Sequence, residues 1–553
     1  MTTTRTTPQE KRSDSSKRGI VLLFIGLMLS MLLASLNQTV LSTALPTIVG
    51  ELDGVDHMLW IMTAFILAST IMMPVYGKLG DLLGRKGLLL IAISLFMIGS
   101  IFGGLAGDMT WLIVARVIQG LGGGGLMILS QAIIADVIPA RERGKYMGIM
   151  GGVFAVSSVA GPLLGGWFTE SIGWRWAFWI NLPVGVLAFA AAVAFLHLPR
   201  HAKVTRRMDY AGMALLAVTT TCLILVASWG GKDYEWTSPT ILGLALVTVV
   251  GAVAFVQVER RAEAPVIPLH LFKERNFSLT TAAGLLIGIA MFGAIGYLPT
   301  YLQMTTGADA TEAGFMMIPM MGGLLVTSVI SGQLVSKTGR YKWLPLVGSV
   351  ILAVGLGLLS TLTTETPLWV FCCFIAVMGV GLGMSMQILV LIVQNSFPNS
   401  QVGTATASNN YFRQIGASLG TAVVGSLFTS RLADLLAERL PTAGNGPAGG
   451  ANSLTPALVN SLPDAVRQPI IESYNDALTP LFLFMVPLAV IAAVLLCFVK
   501  EVKLATSIER DITVESIAEG ELHISSTDAT RTIDDPGVDE STPAETRSKV
   551  ARP

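Results

Sequence analysis

Gly151-Gly-Val-Phe-Ala-Val-Ser-Ser-Val-Ala-Gly-Pro-Leu-Leu-Gly-Gly-Trp-Phe168 is an uncharged run whose only hydroxyl groups belong to Ser157 and Ser158. It carries Gly151, Gly152, Gly161, Gly165 and Gly166, with Pro162 inside the run. In water such a helix would be poor, because Gly costs about 1 kcal/mol and Pro about 3 kcal/mol relative to Ala in a helix interior. In lipid it is tolerated, because neighbouring helices supply packing and partners for the freed carbonyl. Gly151, Ala155, Ser158, Pro162 and Gly165 recur at steps of three and four and share one face. That face has almost no side chain, so a second backbone can come very close. The stretch predicts a membrane helix built for close packing.

The composition around it points the same way. The chain has 553 residues, 52% hydrophobic and 13% charged, against about 25% charged in a soluble domain. Uncharged runs of about 20 apolar residues, the length that spans a bilayer, recur throughout. They predict an all-α polytopic membrane protein with fourteen spans, near 20–41, 58–77, 87–107, 111–135, 146–168, 176–197, 210–228, 238–258, 277–304, 312–335, 343–362, 367–394, 401–430 and 477–499. The first run is too long for a signal-peptide core and no small-residue cleavage site follows it, so it reads as a retained span. Cys222, Cys372, Cys373 and Cys497 all sit in apolar runs, with neither metal-type spacing nor a disulfide framework.

Loop charge orients the spans. The first loop holds Glu51, Asp53 and Asp56 and no base, whereas the even loops carry Lys78, Arg85 and Lys86, then Arg141, Arg143 and Lys145, then Arg200, Lys203, Arg206 and Arg207, and further on Arg260, Arg261, Lys337 and Arg340. The positive-inside rule puts both termini in the cytoplasm, which requires an even span count. The formal net charge of zero hides an asymmetry, since residues 501–553 hold 12 acids and 6 bases.

A repeat divides the chain. Gly77-Lys-Leu-Gly-Asp-Leu-Leu-Gly-Arg85 and Gly332-Gln-Leu-Val-Ser-Lys-Thr-Gly-Arg340 place Gly, Leu, Gly and Arg at the same offsets, 255 residues apart. Two homologous bundles explain this. The expected organisation is a polar tail over 1–18, a six-helix bundle over 19–200, two additional helices over 201–275 and a second six-helix bundle over 276–500. A long extracytoplasmic loop is expected over 431–476, flexible at Pro441–Asn452 and able to form a surface helix over Pro456–Ile471. The acidic tail, 501–553, reads as disordered.

Six segments in order, Leu36–Pro46, Gly77–Lys86, Arg116-Val-Ile-Gln-Gly120, Gly152–Gly166, Trp174–Gly185 and Gly403–Thr406 with Phe412–Gly416, give the chain a family likeness. It resembles the fourteen-span drug:proton antiporters of the major facilitator superfamily, the EmrB/QacA type, over roughly residues 20–500. The resemblance implies a secondary transporter that exports amphipathic small molecules across the cytoplasmic membrane by alternating access, coupled to protons. It also implies a latch between bundles at Gly77, Asp81, Gly84, Arg85 and Asp136, and an antiporter signature centred on Gly161, Pro162 and Gly165. Physically, Asp81 can sit against a helix N-terminus or pair with Arg85, and Asp136 can pair with Arg141 or Arg143. In the second copy Ser336 replaces the acid, so a weaker latch is expected there. Gly161-Pro162 offers a hinge and a close contact between bundles.

Polar groups within the spans are few and therefore informative. Asn37, Gln38, Arg116, Gln119, Gln303, Gln387, Gln394 and Arg413 are the candidates for substrate binding or coupling. Arg116 is about two turns into its span and Arg413 about 18 Å into its own. Asn37 stands where the family usually has an acid, and an amide holds no titratable proton. Asn37 and Arg116 are expected to face each other, and proton coupling would then fall to Asp136, Asp309, Glu312 or the substrate. Met and aromatic residues of spans nine to twelve, among them Met291, Tyr297, Tyr301 and Met320, pack or line a deformable cavity.

Gly120–Gly125 formally matches G-x-G-x-x-G but follows no strand and lies within a span, so helix packing is the better reading. No Walker loop or metal-protease motif appears, which leaves an ATP-driven pump or an enzyme without support, and no cofactor or metal is implied. The expected partners are a small amphipathic substrate, protons and the lipid bilayer, without nucleic acid and with the monomer as the working unit. An uncoupled facilitator or anion, metabolite or lipid exporter of the same fold is the alternative. A non-transporting membrane scaffold or sensor whose acidic tail binds a partner is a second one.

Overall fold

A computed structural model of the chain describes residues 8–52, 57–196, 208–231, 234–308, 310–440, 458–459 and 462–506. Asp309, the 441–452 stretch and the acidic tail beyond 506 lie outside the described residues. Thirteen described helices are long and apolar enough to cross a membrane, and Trp343–Leu359 is a shorter apolar one. In chain order these are α1 (Val21–Glu51), α2 (Trp60–Leu83), α3 (Arg85–Gly104), α4 (Met109–Val137), α5 (Ala140–Ile172), α6 (Trp176–Phe195), α7 (Tyr210–Trp229), α8 (Pro239–Glu259), α9 (Arg275–Thr306), α10 (Glu312–Thr338), α11 (Trp343–Leu359), α12 (Leu368–Asn395), α13 (Asn399–Arg439) and α14 (Asp464–Cys497). Each coincides with one predicted span. The first helix reaches back to Pro8, into the stretch expected to be a polar tail.

The largest departure is at the expected loop 431–476. α13 continues to Arg439 and α14 begins at Asp464, so residues 464–471 of the stretch expected as a separate surface helix belong to α14. The two helices stay paired past the apolar region through the Arg439–Asp476 ion pair and an Arg431 Nε bond to the Asp476 carbonyl. Leu432 is buried there, so a further turn of helix still covers apolar surface.

Two bundles form. In the first, α1 packs on α5 and α6, α2 on α4, and α3 on α4 and α6; in the second, α9 packs on α13 and α14, α10 on α12, and α11 on α12 and α14. The bundles meet along two seams, α5 against α10 and α2 against α13, with lesser contacts of α12 on α5 and of α13 on α4. The additional helices α7 and α8 pair with each other, and α7 rests on α2 and α13. The end of the bundles that carries the Lys/Arg-rich even loops is called the basic end below.

The repeat is geometric as well as sequential. Gly84 and Gly339 both take positive φ, 91° and 73°, at the turns that follow α2 and α10. That region is strained for any side chain with a Cβ, which explains the shared glycine. Gly77 and Gly332 each touch the other bundle. A Cβ on Gly77 would lie 2.8 Å from the Gly403 carbonyl oxygen of α13, and one on Gly332 would run into the Gly144 carbonyl of α5.

Candidate functional site: the seam and the polar groups along it

At the basic end, Asp81 sits at the last turn of α2 and faces the start of α13. Its carboxylate accepts hydrogen bonds from the Gly403 and Thr404 amides at 3.1 and 2.7 Å and from the Thr404 hydroxyl at 2.7 Å. The first amides of a helix have no partner within it, and a carboxylate there also meets the positive end of the helix dipole. One bundle thus caps a helix of the other. Arg85, 1% exposed, holds Asp81 at 2.7 Å and Asp136 of α4 at 2.5 Å. It also donates to the carbonyls of Ala132 and, across the seam, Asn399. Two carboxylates more than balance this buried guanidinium, whose Nε is left without a partner, and a hydrogen bond to a charged group typically contributes about 1.5–3 kcal/mol.

Asp136 therefore makes its ion pair with Arg85, where Arg141 or Arg143 was expected. Those two arginines serve the seam in other ways. Arg143 donates to the carbonyls of Ile138 and Ala135 and to the Asn399 side chain, because it curls back over the α4–α5 turn. Arg141 reaches the Ser336 and Lys337 carbonyls of α10.

The second seam has little charge. Gly144, Gly148 and Gly151 of α5 lie against α10: an added Cβ would be 2.9 Å from the Gly332 carbonyl at the first and 2.5 Å from the Ser328 carbonyl at the second. Ser336, the counterpart of Asp81, accepts from the Lys145 amide at 3.0 Å. Gly161 and Gly165 do not lie on this seam. Their added Cβ atoms would strike Thr39 and Thr43 of α1, within the first bundle, and only Pro162 approaches α10, at Gly314. Gly161 is ten residues on from Gly151, about 80° round the helix at about 100° per residue, so one smooth helix serves two partners.

A strap crosses the basic end. After α14, the Lys500 amide bonds to Asn276, Glu501 accepts from the Tyr341 amide at 2.9 Å, and the Val502 amide donates to the Tyr341 hydroxyl at 2.7 Å. Leu504 is buried, and the Ala505 carbonyl accepts from the Arg141 amide of the first bundle at 3.0 Å.

Deeper in, two arginines have no carboxylate. Arg116, fully buried, donates to the Ile61 carbonyl at 3.0 Å and to the side-chain oxygens of Asn37 and Gln119, both at 2.5 Å, and lies 4.3 Å from the Phe65 ring centroid. Gln119 passes the chain on to Ser100, which also receives Asn181. Arg413 of α13 donates to Asn410 Oδ1 at 2.6 Å, and Asn410 donates to Gln131 Oε1 of α4 at 3.0 Å. Gln394 of α12 reaches the Gln131 carbonyl at 3.2 Å. The other candidates are less connected. Gln38 is half-buried, Gln303 bonds only to the Pro299 carbonyl of its own helix, and the Gln387 stem faces Gly151. Glu312 is exposed.

Sequence reading passed over Gln131, Asn409, Asn410, Asn399 and Glu259. The adjacent pair Asn409-Asn410 inside a predicted span was a usable signal, as was Gln131 within another. Glu259 closes α8 by accepting from the Val266 and Ile267 amides at 2.9 and 3.3 Å, a role that only a folded loop defines.

Two repeated helical bundles, joined at one end by separable contacts and polar along their seam, define the class of multi-pass membrane transporters. The chain belongs to the major facilitator superfamily: the family model of that description matches residues 27–421. An uncharacterized MFS-type transporter of Mycobacterium tuberculosis is 41% identical over 484 residues, 87% of this chain and 70% of that protein. The multidrug transporter protein MdtP of Bacillus subtilis is 37% identical over 525 residues, 91% of this chain and 96% of that protein. Among solved structures, the proton:xylose symporter XylE matches with a TM-score of 0.55 at 17% identity, over 88% of this chain and 97% of that one, a likeness of fold alone.

Proposed function

We propose that the chain exports amphipathic small molecules across the cytoplasmic membrane by alternating access, as a fourteen-span transporter of the EmrB/QacA type with both termini in the cytoplasm. The basic end is then the cytoplasmic one. The observation that carries this reading is the Asp81 cap on α13: a bond between bundles that rigid-body rocking can break and remake. In the conformation described, the cytoplasmic ends are closed by that cap, by the glycine contacts of α5 with α10 and by the strap. The full-length likeness to a relative named a multidrug transporter supports amphipathic cargo. The monomer holds both bundles and suffices for the cycle.

The proton gradient is the driving force on this reading. One observation favours the alternative, an uncoupled exporter of anions: Arg116 meets the amide of Asn37 and no carboxylate. Flux of a fluorescent amphiphile in proteoliposomes under an imposed pH gradient tests both. Gradient-dependent accumulation is expected for the antiporter; equal flux with and without the gradient selects the uncoupled reading, and no flux of any amphiphile removes both.

A further inference from the structure

Buried polar groups in folded proteins are nearly always hydrogen-bonded, so a cluster of unsatisfied ones calls for a partner, whether an ordered water, an ion or a bound group. One such cluster lies where α4, α12 and α13 meet. Gln131 Nε2, Gln394 Oε1 and Thr406 Oγ1 are all buried without a partner. The same three residues are tied to one another and to Arg413. Gln131 accepts from Asn410 and is approached by Gln394, and Asn410 also bonds to the Thr406 carbonyl one turn below. Arg413 is only partly buried, bonds to Asn410 Oδ1 through one nitrogen, and has no ion pair among the described residues. Its remaining donors are uncommitted. Arg85, by contrast, spends its charge on two acids.

The charge balance along the path is one-sided. Arg413 and Arg116 are the basic groups set deep in the helices, one per bundle, and each bonds only to neutral acceptors. In a low-dielectric interior an unneutralised guanidinium strongly favours an approaching anion and disfavours a cation.

We propose that Arg413, with the free Gln131 amide beside it, forms a subsite for the anionic head of the transported molecule, a carboxylate or a group of like charge and geometry. Asn410 is the positioning residue: it fixes the guanidinium through its oxygen and holds Gln131 through its nitrogen. Because α4 belongs to one bundle and α13 to the other, a head bound here lies on the seam that must open. The proposal rests on the export reading and names its substrate class.

The test uses one dansyl-tagged amphiphile in three forms, ending in a carboxylate, a methyl amide or a trimethylammonium group. Binding to the purified full chain is read by tryptophan quenching, and export is read in proteoliposomes. The carboxylate form should bind at least about tenfold more tightly than the other two, the range of one charge-assisted hydrogen bond. Arg413→Gln should erase that preference, Arg413→Lys should keep most of it, and Gln131→Ala should weaken carboxylate binding while the charge remains. Equal carboxylate-to-amide preference in the native chain and Arg413→Gln, or preference for the trimethylammonium form, overturns the subsite while leaving export standing. Carboxylate binding that depends on Arg413 in a chain that exports none of the three forms keeps the subsite and removes the export reading.

Discussion

Arg85 and Arg116 are both fully buried guanidinium groups, and two carboxylates separate their roles. Arg85 is neutralised by Asp81 and Asp136 and ties the α2–α13 seam; Arg116 is held by neutral oxygens inside the first bundle. Asp81→Asn keeps the shape, leaves Arg85 paired with Asp136 alone and weakens the cap on α13. A loss of about 1.5–3 kcal/mol, the range of a hydrogen bond to a charged group, changes the ratio of the two conformations by roughly tenfold to a hundredfold. Cysteines placed on the basic-end halves of α2 and α13 should become accessible to membrane-impermeant thiol reagents, and export should fall. Unchanged labelling would show that the cap does not set the closed state. Asn37→Asp acts in the opposite sense at Arg116. The substitution sets a titratable carboxyl where the native amide holds no proton, so the bond to Arg116 becomes one whose strength changes with pH. The variant should show steeper pH dependence of export than the native chain, measured over a common pH series. Identical profiles would mean that position 37 does not touch the transport cycle.

At the scale of elements, α5 divides its labour along its length. Its half at the basic end, Gly144 to Gly151, meets α10, and its other half, Gly161 and Gly165, meets α1. Inserted bulk in such close contacts typically costs about 1–3 kcal/mol. Gly148→Leu should therefore hold the seam open at the basic end and abolish export, with the melting temperature of the purified chain nearly unchanged. Gly161→Leu should lower that melting temperature by loosening the first bundle, and its loss of export would follow from the fold. The reverse pattern would put the moving contact back at Gly161. The strap makes a similar division. Truncation after Thr506 spares every strap contact named above and should leave flux intact, whereas truncation after Val499 removes the bonds to Tyr341 and Arg141 and should raise accessibility at the basic end. A scaffold, by contrast, should fail with the shorter truncation as well. Accessibility of α5 cysteines in the two truncations decides the matter.

Across the whole molecule, the proposed topology has all fourteen apolar helices of the described residues cross the bilayer, with the basic even loops and both termini on the cytoplasmic side. A reporter fused after Lys503 should be active only in its cytoplasmic form; an extracytoplasmic signal there would overturn the span count. The helices themselves were legible in the sequence, because a bilayer imposes a length and a lack of charge that each span must satisfy by itself. The two-bundle plan was legible too, since Gly77 to Arg85 and Gly332 to Arg340 repeat a turn that only glycine at positions 84 and 339 permits. Partnership was not. Whether Asp136 met Arg85 or Arg143, and whether Gly161 faced α10 or α1, depended on helix rotation and on which backbone came close, and those are settled by packing among helices hundreds of residues apart. The same holds for the unsatisfied amides of Gln131 and Gln394. A glutamine in an apolar span declares itself in the sequence, but that its partner is missing can be seen only once every neighbour is in place.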